Sequence, residues 1–293
     1  MKRLYAYIIL SALIFGTMEV ALKLAASSLD AFQITFLRFL VGGIVLAPFA
    51  LHEGTSRPRG TMTPRVWLYM ALLGVVNIPI CMIAFQLGVE HSNAATAAVI
   101  FSSNPIFTMF FAHFLTADDR MNRRKALALA IGFAGLVFMI RPWDVQPGNT
   151  LPGVFFSLAA AVSFGLYGVL GAKTVGKVGP FTQASASFLI GSLILLAILP
   201  LAGKPILAGF AGNLPIILYT GVVVTGGGYI FYFFALRRSS PSTAAIIFFL
   251  KPIIAPIFAV IILSEVITWN MFCGIALILI ASYILIARKK GTT

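Results

Sequence analysis

The chain has 293 residues, of which 60% are apolar and only 10% charged. A soluble domain runs near a quarter charged, so a water-soluble globule and a large extramembrane catalytic domain are both excluded. The formal charge of +13 would suggest nucleic acid in a soluble protein, so its placement along the chain has to be read before any partner is assigned.

In chain order the apolar runs are 4–26, 33–51, 67–88, 94–115, 125–141, 151–172, 180–202, 213–236, 243–264 and 267–287. Each is about long enough to cross a hydrocarbon core of roughly 30 Å as a helix. Barrel strands are about ten residues long and alternate in polarity, whereas these runs are continuously apolar. The expected fold class is therefore all-α integral membrane, with ten transmembrane helices. The first run follows Met1-Lys2-Arg3 and has no small-residue cleavage site after it, so it reads as a retained helix rather than a signal peptide. Cys81 and Cys273 fall inside apolar runs, which gives neither a disulfide framework nor a metal site, and no cofactor is expected.

With ten spans and a cytoplasmic N-terminus, both termini lie on the cytoplasmic side. Of the 21 lysines and arginines, Arg141 and Lys204 then fall outside, Lys23, Arg38 and Lys251 fall within spans, and the remaining sixteen fall inside. So strong a bias over short loops fits the positive-inside rule. It accounts for the charge through lipid headgroups rather than nucleic acid and points to the cytoplasmic (inner) membrane.

The chain also reads as two halves. Ser92-Asn93-Ala94-Ala95-Thr96-Ala97-Ala98 through Asn104-Pro105 matches Ser239-Ser240-Pro241-Ser242-Thr243-Ala244-Ala245 through Lys251-Pro252 at an offset of 147. At the same offset Phe101 meets Phe248 and Asp118 meets Glu265, and Phe15-Gly16 meets Phe164-Gly165 at 149. Five spans per half is an odd number, so the second copy enters the bilayer from the other side. An inverted repeat of this kind accompanies alternating access, with the substrate site near the midplane.

These features resemble the EamA-type transporters of the drug/metabolite transporter superfamily: Phe-Gly in the first helix, Ala-Ala…Asn-Pro with an acid after span 4, and Ala-Ala…Lys-Pro with Glu265 after span 9. The resemblance covers nearly the whole chain and implies two inverted five-helix repeats, 1–142 and 151–290. It also implies export or exchange of small metabolites, often amino acids, through a cavity lined by helices 1, 3, 4, 6, 8 and 9. Asp118 stands where glutamate is usual, and Phe15 where tryptophan often precedes the glycine.

Ionisable side chains at membrane depth are costly and mark functional or paired positions. Glu19 lies about 10 Å below the outer end of span 1, with Lys23 on the same face at i+4. Two roles fit: a local pair in which Lys23 snorkels to the headgroups, or a cavity carboxylate that binds an amine or a proton. Lys251 lies about 12 Å from the inner end of span 9, too deep to snorkel. It is either a counter-charge for a substrate carboxylate or phosphate, or the partner of Glu19. Pro252 frees a carbonyl beside it, and Asn104-Pro105 offers a neutral amide at the matching place, so a zwitterion would turn its anionic end toward helix 9. Arg38, near the outer end of span 2, is expected to snorkel in a structural or gating role, and His113 to make an interfacial hydrogen bond. Asn77 and Gln86 on helix 3, Ser163 and Tyr167 on helix 6, and Tyr229 on helix 8 are candidate ligand contacts. Gly226-Gly227-Gly228 serves packing or local unwinding. Asp118, with Asp119 among neighbouring arginines, is expected to close the inner end, and Glu265 the outer end. Trp67 and Trp269 suit the aromatic belt.

The three histidines are scattered and no phosphate-cradling loop exists, so an enzyme is not expected. The leading expectation is a secondary carrier for a small metabolite, an amino acid foremost, by export or exchange, with protons as a candidate coupling ion. Such a carrier would be a monomer or weak dimer. A lipid-linked-metabolite flippase and a facilitative channel are the competing classes.

Overall fold

The computed structural model describes residues 2–56, 61–116, 122–140, 148–238 and 246–286. Asp118, Asp119, Arg141, Trp143, Asp144 and the repeat segment 239–245 lie outside the described residues.

The described residues form helices and turns, without strands. In order they are α1 Lys2–Gly16, α2 Met18–Ala25, α3 Ala31–Thr55, α4 Pro64–Val75, a wide-turned π-helical stretch Val76–Met82, and α5 Ile83–Glu90. Then come α6 Ala94–Phe101, α7 Asn104–Leu115, α8 Arg123–Ile140, α9 Leu151–Val178 and α10 Pro180–Leu201. The chain ends with α11 Leu214–Leu218, a second π-helical stretch Tyr219–Gly227, α12 Gly228–Arg238, α13 Ile246–Leu263 and α14 Trp269–Ile286. Every apolar run read from the sequence is thus mainly helical over its described residues. Among the described residues, seven stretches are long and apolar enough to cross a membrane: 3–25, 31–55, 64–90, 94–115, 151–178, 180–201 and 214–238. The helix α8 begins with three consecutive basic residues, and α13 and α14 contribute shorter apolar segments. The chain is a multi-pass membrane protein.

Local chemistry sets the boundaries. Pro64, Pro105, Pro152, Pro180 and Pro215 sit in first turns, where a missing N–H costs nothing. Asp30 caps α3 by accepting from the Phe32 amide at 2.9 Å, and Thr150 caps α9 through Gly153 at 3.1 Å. Two helices break where the sequence supplies side chains to serve the freed carbonyls. At the α1–α2 break, the Thr17 hydroxyl donates to the Ile14 carbonyl at 2.8 Å. Between α6 and α7, Pro105 leaves the Phe101 carbonyl without its helical donor, and Asn104 Nδ2 donates to it at 2.8 Å.

The π-helical stretches widen the same two segments that carried Pro79 and the triple glycine. Pro79 cannot donate in an α register, and the wider turn absorbs the mismatch. In the second stretch Thr225 Oγ1 donates to the Thr220 carbonyl, five residues back, at 2.8 Å. Both readings of the glycines hold together there: the turn unwinds, and Gly221 and Gly226 admit Val41 and Val45 of α3.

Packing relies on small residues at crossings, as expected where lipid supplies no hydrophobic drive between helices. Gly74 of α4 faces Gly191 of α10 backbone to backbone, and Gly132 and Gly135 bring α8 against α14. Phe39 meets Phe188 edge-on, and Phe49 stacks nearly parallel on Phe181, to join α3 to α10. Large apolar side chains such as Leu68, Phe155 and Ile261 face outward, as a lipid-solvated surface requires.

Candidate functional site

Near the centre of the bundle, Glu19 and Lys251 form an ion pair at 2.6 Å with both side chains buried. The Thr17 break starts α2 just before Glu19, and Lys251 leaves α13 one residue before Pro252. The ammonium also lies 4.9 Å from the ring centroid of Phe101 and 5.6 Å from that of Phe85, which suits a desolvated cation. Of the two sequence readings for Lys251, the partner of Glu19 is the one the geometry forms.

Lys23 behaves differently from the snorkelling expectation. Its Nζ turns inward and donates to the carbonyls of Val89, Glu90 and Ser92 at 2.9, 2.8 and 2.6 Å. It thereby serves the unsatisfied carboxyl end of α5, and Glu19 finds its cation on another helix.

Arg38 also departs from expectation. It is 1% exposed and points into the bundle rather than to headgroups. The guanidinium stacks over Phe39 at 4.4 Å and directs Nη1 and Nη2 toward the sulfurs of Met18 and Met82 at 3.6 and 3.3 Å. Its Nε has no hydrogen-bond partner among the described residues. The physical reason is depth. Glycines at 42 and 43 let α10 and the second π-helical stretch press against α3, which leaves no lateral route to the surface.

Arg38 and Lys251 line one small pocket of about 30 Å³, walled also by Met18, Met82, Thr225, Tyr229 and phenylalanine rings, roughly the room of a single water. Beyond it lies a cavity of about 720 Å³ that contains Asn104, Pro105, Thr108, Tyr167 and Gln183. Phe164, Tyr229 and Phe248 line both spaces and stand between them. The larger cavity reaches Val175 and Pro180, at the end of α9. A separate cavity of about 560 Å³ includes Gly148, Asn149, Thr268 and Asn270, at the start of α9. A helix of this length spans about 40 Å, so the two larger cavities lie at opposite ends of the bundle.

Glu265 lines that second end, and its role differs from the expected charge network. Its carboxylate accepts from the amides of Ala94 at 2.6 Å and Ala95 at 3.0 Å, which caps α6 where the helix dipole favours an anion. At the other end Glu53, which no motif had singled out, does the same for α10. It accepts from the Thr182 amide at 2.9 Å and pairs with Arg237. Gly179, at φ +91°, begins that helix, and a Cβ there would strike the Glu53 carboxyl. An acid beside His52 at the polar end of a run was the only signal for Glu53 in the sequence.

The remaining candidates divide. Asn104, Pro105, Tyr167 and Tyr229 line the cavities, and Pro252 adjoins the ion pair within a continuous helix. Gln86 and Asn77 are buried away from these spaces. Gln86 Nε2 donates to the Leu22 carbonyl at 3.3 Å, and neither amide atom of Asn77 is hydrogen-bonded among the described residues. Ser163 is half-buried and outside the lining of the three cavities. His113 stacks edge-on with Phe114 near the end of α7.

A narrow, charged pocket inside a bundle of membrane helices, approached by a cavity from one end, is the architecture of a membrane transporter. The chain belongs to the EamA-like transporter family, which matches residues 2–141 and 151–287, and the resemblance drawn from the sequence is borne out. It is 33% identical to an uncharacterised transporter of Clostridium kluyveri over 99% of this chain and 95% of that one. It is 27% identical to a WAT1-related chloroplastic protein of Arabidopsis thaliana over 92% of this chain and 66% of that one. The S-adenosylmethionine uptake transporter of Rickettsia prowazekii is 25% identical over 66% of this chain and 62% of its own. A crystal structure at 18% identity superposes with a TM-score of 0.66, covering 96% of this chain and 95% of the other, and supports the fold. The protein is a transporter for a small molecule, not an enzyme.

Proposed function

We propose that the protein is a secondary carrier that moves an amino acid across the cytoplasmic membrane by alternating access. In this reading α8, α13 and α14 complete ten crossings. Segments 1–142 and 151–290 are the inverted five-helix repeats, and both termini are cytoplasmic. The observation that carries the proposal is the small pocket lined from both segments: Arg38 and Met82 from the first, Tyr229 and Lys251 from the second. A site at the seam of two repeats faces each side in turn when one half rocks against the other. Phe164, Tyr229 and Phe248 act as the gate between the pocket and the cavity at the cytoplasmic end.

An amino acid supplies both charges of the buried pair. Its carboxylate approaches Lys251 and its amine approaches Glu19, whose Oε2 makes no hydrogen bond among the described residues. Glu19 is also the group through which protons would couple. Asn104, Tyr167 and Tyr229 shape the approach, and Asn77, Gln86 and Ser163 support the surrounding helices. A pocket of about 30 Å³ walled largely by apolar side chains disfavours a channel, which needs a continuous polar path.

Counterflow in proteoliposomes tests this reading. A carrier preloaded with an unlabelled amino acid accumulates the labelled one faster than empty vesicles do. Uptake unaffected by the trans side would identify a channel, and response to lipid-linked cargo alone a flippase. Either result would overturn the proposal.

A further inference from the structure

Within the central pocket the charges do not balance. Lys251 is neutralised by Glu19 at 2.6 Å. Arg38, equally buried, hydrogen-bonds only to two thioether sulfurs and stacks on an aromatic face; the charge of Glu19 reaches it, but no carboxylate lies within ion-pair distance of it among the described residues. Thioethers are weak acceptors and a ring face neutralises nothing. A guanidinium is always charged and presents a planar fork matched to a carboxylate. Two buried cations that share one carboxylate are costly to hold, and here Arg38 lines a pocket whose other walls are Met18, Met82, Val224, Thr225, Tyr229 and phenylalanine rings, with Lys251 beside them. Methionine side chains repack readily, so Met18 and Met82 are the groups an arriving ligand displaces.

We infer that Arg38 anchors a carboxylate of the substrate beyond the charges matched by Glu19 and Lys251, and that the pocket takes organic acids carrying one net negative charge. This rests on the carrier reading above and narrows its cargo: one cation is left over once Glu19 is counted against Lys251, so one net anion completes the site. An acidic amino acid or a simple hydroxy acid meets this condition. A neutral amino acid leaves the excess charge in place, and a basic one adds to it.

The test is ligand-induced thermal stabilisation of the purified full-length protein in detergent, with L-glutamate, L-glutamine, L-lysine and L-lactate as a charge-graded panel and sodium chloride as a control. Glutamate or lactate should raise the melting temperature. Glutamine and lysine should bind at least tenfold more weakly. Arg38→Met should abolish the anion-induced shift, and Arg38→Lys should retain part of it. Without ligand, Arg38→Met should melt no lower than the wild type, because it removes an unsatisfied charge; a structural arginine would instead leave a less stable protein. Stabilisation by glutamine or lysine, an anion shift that survives Arg38→Met, a shift reproduced by chloride, or no shift from either acid would each overturn the inference. Binding is read here without transport. Counterflow of neutral amino acids would therefore sink this inference and spare the carrier, whereas anion binding without counterflow would do the reverse.

Discussion

Glu265 accepts the amide of Ala94, 171 residues earlier in the chain, at 2.6 Å, and so caps α6 from the far end of α13. The residue preceding it, Ser264, adopts a left-handed backbone at φ 55° to turn the carboxylate toward that helix. A charged cap joining two distant elements ties the closure of one end of the bundle to its stability. Glu265→Ala should lose about 1–2 kcal/mol, the scale of a lost cap with dipole assistance. Glu265→Gln should lose less, since an amide oxygen still accepts. Thermal melting of the two variants in the same detergent checks the order.

The central ion pair makes a non-additive prediction. Glu19→Gln and Lys251→Met should each cost about 3–5 kcal/mol, because each strands a buried charge. The double variant should recover much of that loss, since neither charge then remains. A double-mutant cycle of melting measurements gives the coupling. If Glu19 carries the coupled proton, Glu19→Gln also removes the pH dependence of transport; unchanged pH dependence would remove Glu19 from that role.

Gly74 tests the crossing of α4 over α10. A Cβ there would lie 2.7 Å from the Ser187 carbonyl and 2.9 Å from the Gly191 amide nitrogen, both backbone atoms that cannot swing away. Gly74→Ala should destabilise by about 1–3 kcal/mol through overpacking. Gly54→Ala, where a Cβ meets nothing, should not destabilise. The two melting curves provide the comparison.

Lys204 and Asp30 pair at 2.8 Å in the loops at the end opposite Glu53. The carboxylate's hydrogen bond and charge raise the Lys204 pKa above its ordinary value. A raised folded pKa means that the pair's contribution is complete below the unfolded pKa, about 10.4. It is lost as pH rises through the folded one. The lysine is solvent-exposed, so Lys204→Ala should change neutral-pH stability little, and less still in high salt. Asp30→Ala should cost more, about 1 kcal/mol, because it also removes the Phe32 cap; Asp30→Asn should keep the cap. Melting across pH and salt distinguishes the two functions of Asp30.

Sequence by itself determined the helical class, the apolar segments and the family. Apolar length, proline position and glycine clusters act over one or two turns, so they are legible without neighbours. The Asn104-Pro105 and Lys251-Pro252 pattern was visible for the same reason: it consists of residue types at fixed spacing. Tertiary structure alone decided which charges meet. Local spacing favoured Lys23 for Glu19, yet each helix presents its face to whatever packs there. The Val89, Glu90 and Ser92 carbonyls took Lys23, and Lys251 took Glu19. Arg38 read as a snorkelling residue from its depth along one helix, because the close approach of α10 and the π-helical stretch that sealed it inside belongs to another part of the chain. Electrostatic partnership in a low-dielectric bundle depends on contact geometry across helices, which one-dimensional spacing does not contain.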